Sequence, residues 1–271
     1  MNTITINEIL RINNLENTKF RFLMGERHGY HSIENFKNKD FTNLLSGHYW
    51  NYKKNKSYKN NQLTFGFIRI KENEDLWLLY HASKITKDLN IFEGVGYEYE
   101  ILPEYEKYFG RLVIKYKNHS QNLVRNADSV ISKCEFYQIL PDIFDNDIFP
   151  GYEKVNISWL ELFRVIDKDS WKTALQNQKG VYLITDKSNG KMYVGSAYGD
   201  NMILGRWKSY INNGHGGNVG LKKLDFEHIK KNFSFTILDI YKSTIDDKII
   251  IERETWWKDV LKSREYGYNE N

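Results

Sequence analysis

Short apolar runs separated by charged turns dominate the first half of the chain. They are Leu63–Phe67, Leu76–Tyr80, Tyr97–Ile101, Leu112–Tyr116 and Cys134–Ile139. In the third, Tyr97, Tyr99 and Ile101 alternate with Glu98 and Glu100, the period of a strand with one buried face. Five such segments predict a small sheet or a barrel-like fold. Upstream, residues 7–50 mix helical and loop signals. The stretch Asn51–Gln62, rich in Lys, Asn and Tyr, reads as an exposed loop. Pro141 and Pro150 bracket Asp142–Phe149, which predicts a linker or strap and a domain boundary near residue 150. No internal repeat is visible.

The second half has a different rhythm. Ser158 is placed to cap a short helix through Arg164, and Ser170 another that begins at Trp171, so residues 151–178 read as a helical connector. Gly180-Val181-Tyr182 and Tyr193-Val194-Gly195 then flank the turn Asp186-Lys187-Ser188-Asn189-Gly190. The Asn-Gly pair suits a type I′ turn, so the two segments predict a β-hairpin. Side chains alternate along each strand, and the antiparallel register puts Tyr182 and Tyr193 on one face.

Residues 203–211 have helical spacing, with Leu204, Trp207 and Ile211 facing inward and Arg206 and Tyr210 together on an adjacent face. Gly214-His215-Gly216-Gly217-Asn218 follows, a stretch with little side-chain bulk to keep a large ligand from the backbone. Phe233–Ile240 predicts a strand, and a last helix begins near Thr244 with Asp247 as a capping-box-like partner. On that helix Glu252 shares a face with Lys248 and Asp259 and should be solvated. Glu254 falls on the apolar stripe of Ile250, Trp257 and Leu261, where a carboxylate needs a cation such as a metal or Arg206.

With 271 residues and 41% hydrophobic content the chain can bury one large core or two ordinary ones. The 39 basic and 35 acidic residues leave a net charge of +4, which permits nucleic-acid binding without arguing for it. Cys134 is the only cysteine, which excludes an internal disulfide and a multi-cysteine zinc site and suits a small buried strand residue. No apolar stretch is long enough to cross a bilayer, and Met1-Asn2-Thr3-Ile4-Thr5 lacks signal-peptide architecture, so a soluble cytoplasmic protein with no membrane partner is expected.

Taken together, these parts resemble the GIY-YIG nuclease family. The signatures stand as Gly180-Val181-Tyr182 and Tyr193-Val194-Gly195, with valine for isoleucine in both. Arg206 matches the family arginine, Tyr210 a position held by Tyr or His, Glu254 the metal-binding glutamate and Asn269 the terminal asparagine. The resemblance covers about residue 179 to the C-terminus, under half the chain. It implies an α+β protein: a small antiparallel sheet flanked by helices over 179–271, preceded by a strand-rich, barrel-like α+β domain over 1–150.

The implied chemistry is DNA phosphodiester hydrolysis with Mg²⁺ or Mn²⁺ held by Glu254. By the same resemblance Arg206 stabilises charge on the phosphoryl oxygens and Tyr182 is the candidate general base. Tyr193 and Tyr210 position water or phosphate, either able to exchange roles with Tyr182, and Asn269 orients a loop or phosphate. His215 contacts DNA or assists proton transfer. The N-terminal domain would recognise the target, with Trp50, Trp77, Tyr97 and Tyr99 lining an aromatic pocket or simply filling a core. Arg111, Lys115, Lys117, His119 and Arg125 would track phosphates or form a solvated face.

The expected role is a restriction or phage-defence DNA endonuclease. The alternatives are a homing or repair endonuclease, and a non-catalytic nucleic-acid binder with a retired nuclease fold. Double-strand cutting would call for a homodimer on DNA or two sequential nicks.

Overall fold

The computed structural model describes residues 4–24, 26–27, 30–71 and 75–270, so the Met1–Thr3 start lies outside the described residues. The chain divides into two compact units, Met1–Asp145 and Asn146–Asn271.

The first unit is built on seven strands: β1 (Thr18–Leu23), β2 (Leu63–Lys71), β3 (Leu76–Asp88), β4 (Tyr97–Ile101), β5 (Leu112–Lys115), β6 (Val124–Asn126) and β7 (Glu135–Ile139). Their order is β6-β1-β2-β3-β5-β7, an open half-barrel sheet in which only β1 and β2 run parallel. The long β3 serves two neighbours, pairing β5 through its first residues and β4 through its last. Phe20, Phe22, Phe65, Phe67 and Trp77 interlock on one face. On the other, Ile68, Leu76, Leu78 and Tyr80 pack with Phe36 and Leu44 from the helices Ser32–Lys37 and Phe41–His48. Burial on both faces is why β3 reads as a continuous apolar run rather than an alternation.

All five strands expected from the pattern are present. β1 and β6 are additional: Lys19 and Arg21 interrupt the apolar signal of β1, and β6 has three residues. The stretch Asn51–Gln62 departs from a plain exposed loop, because Asn51, Tyr58 and Gln62 are buried and anchor it. Asn51 Oδ1 accepts from Ser57 N at 2.9 Å and from Tyr97 Oη at 2.7 Å. Trp77 and Tyr97 are core residues, the former donating Nε1–H to Tyr116 O at 2.7 Å. Cys134 is buried immediately before β7.

In the second unit Ser158 caps the helix Trp159–Val165, with Glu161 closing a capping box. The next helix, Asp169–Leu175, starts after Lys168. Ser170 lies within it rather than capping it, and its Oγ accepts from Phe149 N at 3.2 Å. Trp159, Leu162, Trp171 and Leu175 share one core with Tyr182 and Trp207, so the helices of residues 151–178 pack into this unit's core.

The four strands are β8 (Asn156–Ser158), β9 (Gln178–Asp186), β10 (Met192–Ala197) and β11 (Phe233–Lys242), ordered β8-β11-β9-β10 and all antiparallel. Tyr182, Ile184, Tyr193 and Phe235 face the core that holds the helix Met202–Asn213. Val181 and Val194 face Ile250 of the C-terminal helix Asp247–Leu261. That helix starts later than Thr244, capped by Asp246 accepting from Lys248 N at 2.9 Å. Among the described residues no helix is long and apolar enough to cross a membrane.

The β9–β10 turn is not type I′. Gly190 takes φ 76°, whereas Asn189 is not among the positive-φ residues. Asp186 dictates the shape instead: its carboxylate accepts from Ser188 N (3.0 Å), Ser188 Oγ (2.6 Å) and Asn189 Nδ2 (3.0 Å). It also binds His228 Nε2 (2.8 Å) and Tyr268 Oη (2.7 Å), tying the hairpin to a neighbouring helix and to the C-terminal segment.

Burial works against this charge, but the donors from Ser188, His228 and Tyr268 outweigh it and hold the carboxyl at about 2. A carboxylate depressed below its unfolded value stabilises the fold above about pH 4, and that stabilisation is lost as pH falls toward its folded value. Asp186→Asn should therefore cost roughly 2 kcal/mol at neutral pH, with the gap to wild type closing in acid. Denaturant melts of both proteins across acid pH test this; a gap that widens in acid contradicts it.

Candidate active site

Tyr182 enters the site from β9, and its position depends on the strand opposite. It pairs across the hairpin with Gly195, where an added Cβ would lie 2.4 Å from the Tyr182 hydroxyl oxygen. Only glycine leaves room for that ring. The Tyr182 oxygen accepts from Arg206 Nε at 3.0 Å and shares a hydrogen bond of 2.8 Å with Tyr210 Oη.

The helix Met202–Asn213 buries Ile203, Trp207 and Tyr210, with Leu204 and Ile211 partly buried beside them. Tyr210 thus belongs to the inward face, not to an adjacent one with Arg206. Its hydroxyl is satisfied inside by Tyr182 and by Asn218 Nδ2 at 2.8 Å, so its burial strands no polar group. Arg206, half-buried, donates Nη1–H to Gly216 O at 2.9 Å and Nη2–H to Asn218 Oδ1 at 3.2 Å. Asn218 Oδ1 also accepts from Tyr193 Oη at 2.6 Å. Asn218 is therefore the hub joining Tyr193, Arg206 and Tyr210.

The glycine-rich stretch shapes this hub. Gly216 and Gly217 take φ 53° and 88°, a left-handed turn that carries the Gly216 carbonyl to Arg206. His215 braces the turn: its Nδ1 accepts from Gly217 N at 2.9 Å, and it is not among the residues lining the cleft.

That cleft, about 330 Å³, is lined by Tyr193, Ser196, Arg206, Asn218 and Glu254 among others. A neighbouring hollow of about 370 Å³ shares Tyr193 and Asn218 and extends to Tyr268 and Glu270. Tyr182 lies fully buried behind the first cleft, whereas Tyr193 forms part of its wall.

Glu254 reaches the cleft from the opposite face of the sheet. Its carboxylate accepts from Ser196 Oγ and from Lys258 Nζ at 2.9 Å, and its side chain is 14% exposed against 5% for Lys258. Glu252 is exposed, as the helix-face argument expected. The protein cation beside Glu254 is Lys258, one turn along, rather than Arg206. Asn269 sits outside the cleft: its amide accepts from Val194 N at 2.9 Å and donates to Val194 O at 2.8 Å, clamping the C-terminal segment onto β10.

Burial raises the Tyr182, Tyr193 and Tyr210 phenols above their ordinary values, with Arg206 opposing the rise in each. All three are neutral at neutral pH. The groups that face a ligand are hard oxygens, one carboxylate with hydroxyls and an amide. Among the described residues no cluster of three or more His, Cys, Asp or Glu could cage a metal. Such a donor set fits Mg²⁺ or Mn²⁺, cations content with one carboxylate plus water and phosphate oxygens. Asn218, Ser196 and Lys258 are the site residues that sequence reasoning missed. Their signals were an asparagine closing the glycine run, a serine following the second signature, and a lysine four residues after Glu254.

Residues 178–269 match the model of the GIY-YIG catalytic domain. Among solved structures, a mutant form of the catalytic domain of intron endonuclease I-TevI is 30% identical, spanning 35% of this chain and 94% of its own, with a TM-score of 0.28. The catalytic domain of homing endonuclease I-TevI is 28% identical over 34% of this chain and 96% of its own, with a TM-score of 0.27. No curated protein matched the chain. With both tyrosine signatures, the helix arginine and the C-terminal-helix glutamate in order within them, residues 178–269 of the chain are a GIY-YIG catalytic domain.

Proposed function

We propose that the C-terminal unit hydrolyses DNA phosphodiester bonds with one divalent cation, Mg²⁺ or Mn²⁺, and that the domain over residues 1–150 selects the target. The observation that carries this reading is the convergence of Arg206, Tyr193, Asn218 and Glu254 on one cleft at an edge strand. When bound, the cation would supply positive charge at the scissile phosphate, with Glu254 as its protein ligand.

Arg206 has three of its N–H groups held by Tyr182, Gly216 and Asn218. One N–H on each of Nη1 and Nη2 remains for two phosphoryl oxygens, so the guanidinium meets developing charge without reorganising. Tyr193 donates its O–H to Asn218 Oδ1, so its lone pairs are what the oxygen offers a water in the cleft. It is therefore the phenol that orients the attacking water and, in its phenolate form, takes that water's proton, while Tyr182 and Tyr210 act as positioning residues behind Arg206. His215 and Asn269 act through the loop and the strand they hold.

The two-unit build favours a restriction or phage-defence enzyme whose N-terminal domain reads sequence or modified bases. Retention of Tyr182, Tyr193, Arg206 and Glu254 argues against a retired, non-catalytic fold. A single site per chain means that double-strand cutting proceeds through a homodimer on DNA or two sequential nicks. Incubation with Mg²⁺ or Mn²⁺ and unmodified, methylated, hydroxymethylated and glucosylated DNA tests the reading. Cleavage confined to one class supports target selection, and tight binding without cleavage under either metal rejects the nuclease role.

Two further outcomes are expected. Glu254→Ala and Arg206→Ala should each lower cleavage by at least about 100-fold with the fold retained by circular dichroism, whereas Glu252→Ala should stay near wild type. An inactive Glu252→Ala protein with active Glu254→Ala would reverse the assignment. Burial raises the Tyr193 phenol, so its phenolate is scarce at neutral pH and grows as pH climbs, and single-turnover cleavage should accelerate from neutral to alkaline pH. Tyr193→Phe should flatten that rise and Tyr182→Phe should keep it; an unchanged slope in Tyr193→Phe removes Tyr193 as proton acceptor.

A further inference from the structure

A buried arginine in the N-terminal unit lacks a counter-ion. Arg21 on β1 is 2% exposed, donates Nη2–H to Gly47 O at 2.7 Å and Nη1–H to Ser57 Oγ at 3.3 Å, and leaves Nε without a partner. Among the described residues no carboxylate pairs with it. Burying an uncompensated cation is costly, and a fold retains one where something else supplies the anion.

Two adjoining hollows meet at this residue. The larger, about 730 Å³, includes Lys19, Lys54, Lys56 and Ser57 in its lining. The smaller, about 430 Å³, is walled by Tyr30, Trp50, Leu23 and Met24. Arg21, Tyr52 and Leu123 line both, and neither has a carboxylate among its described lining residues. Both volumes lie within the usual range for small-molecule sites, about 300–1,000 Å³.

Lys56 is answered by Asp88 at 2.6 Å, whereas Lys19 Nζ donates to the neutral amide of Asn126, so Arg21, Lys19 and the exposed Lys54 carry most of the hollow's positive charge. Tyr52 is 55% and Phe92 39% exposed at the rim, apolar rings left in water beside a basic hollow.

The walls are built rather than incidental. The Tyr30 ring lies over Gly47, where a Cβ would fall 2.5 Å from it, and Tyr30 Oη donates to Leu44 O at 2.9 Å. Ser57 is fixed by Asn51 through its N–H and donates Oγ–H to Trp50 O at 3.1 Å. One compartment suits an anion, the other a flat aromatic group, and the guanidinium stands between them. Phosphate joined to a planar ring is the chemistry of a nucleotide.

We propose that these two hollows receive one nucleotide extruded from the DNA, its phosphate against Arg21 and Lys54 and its base against Trp50 and Tyr52. The inference rests on the reading of DNA as substrate and gives the N-terminal unit its binding site. Of the aromatic set expected from sequence, Trp50 lines this site, whereas Trp77 and Tyr97 are core.

Binding is measured on the full chain carrying Glu254→Gln, so that no cleavage intervenes. The probes are the four 2′-deoxynucleoside 5′-monophosphates, their nucleosides, inorganic phosphate, and short duplexes with and without one mismatch. A nucleotide should bind at least about tenfold tighter than its nucleoside or phosphate alone, because both compartments contribute. The mismatched duplex should bind tighter than the matched one, since its base is cheaper to extrude.

Adding Arg21→Met should abolish both preferences while leaving the melting temperature equal or higher, because an apolar side chain relieves the unpaired charge. Tyr52→Ala, at an exposed position, should weaken nucleotide binding and spare phosphate, and it decides the matter should Arg21→Met not fold. Wild-type-like binding by both variants overturns the site. Nucleotide binding without a preference for the mismatch overturns extrusion from DNA and assigns the site to a free nucleotide. Intact binding in a protein that never cleaves DNA under either metal rejects the nuclease reading and not this pocket.

Discussion

The C-terminal unit is organised around the need to hold one guanidinium half-buried and still. Arg206 reaches that state because three segments supply acceptors at once: Tyr182 from the hairpin, Gly216 from the glycine turn and Asn218 just beyond it. Each acceptor is itself tied down. Tyr182 is locked over Gly195, the Gly216 turn is braced by His215, and Asn218 is shared with Tyr193 and Tyr210. A charge fixed in this way is oriented before a substrate arrives, and preorganisation is what makes such a group effective in catalysis.

The edge position of β10 explains how groups from both faces of a sheet meet. Tyr193 points to the core that holds Arg206, and Ser196 points to the face covered by the C-terminal helix, where it donates to Glu254. In a central strand the neighbouring backbone would keep these faces apart. An edge strand leaves outward backbone groups to satisfy, and the Asn269 amide takes both groups of Val194. Asp186 closes the same edge further along by joining the turn to Tyr268.

The N-terminal unit shows the opposite balance. Its central strands are buried on both faces, and its two buried histidines are paired: His48 lies between Tyr80 Oη (2.6 Å) and Thr64 Oγ1 (2.9 Å), and His81 Nε2 meets Tyr49 Oη at 2.6 Å. Burial pushes His48 well below its ordinary value and His81 down to about 4, so both are neutral in a satisfied network. Against that background the unmatched Arg21 stands out.

Sequence alone determined what depends on local spacing. The five apolar strands, the Ser158 cap, the hairpin and the inward placement of Glu254 beside an exposed Glu252 all follow from periodicities of two or 3.6 residues, which bind neighbours a few positions apart. β1 escaped because a buried Arg21 broke its pattern, and the turn type because the Asp186 side chain overrode the Asn-Gly preference. Tertiary structure alone decided which phenol faces the cleft, that Asn218 is the hub, and that Lys258 is the cation beside Glu254. Those outcomes depend on hydrogen bonds between segments tens of residues apart, whose partners are chosen by packing of the whole unit rather than by any local rule.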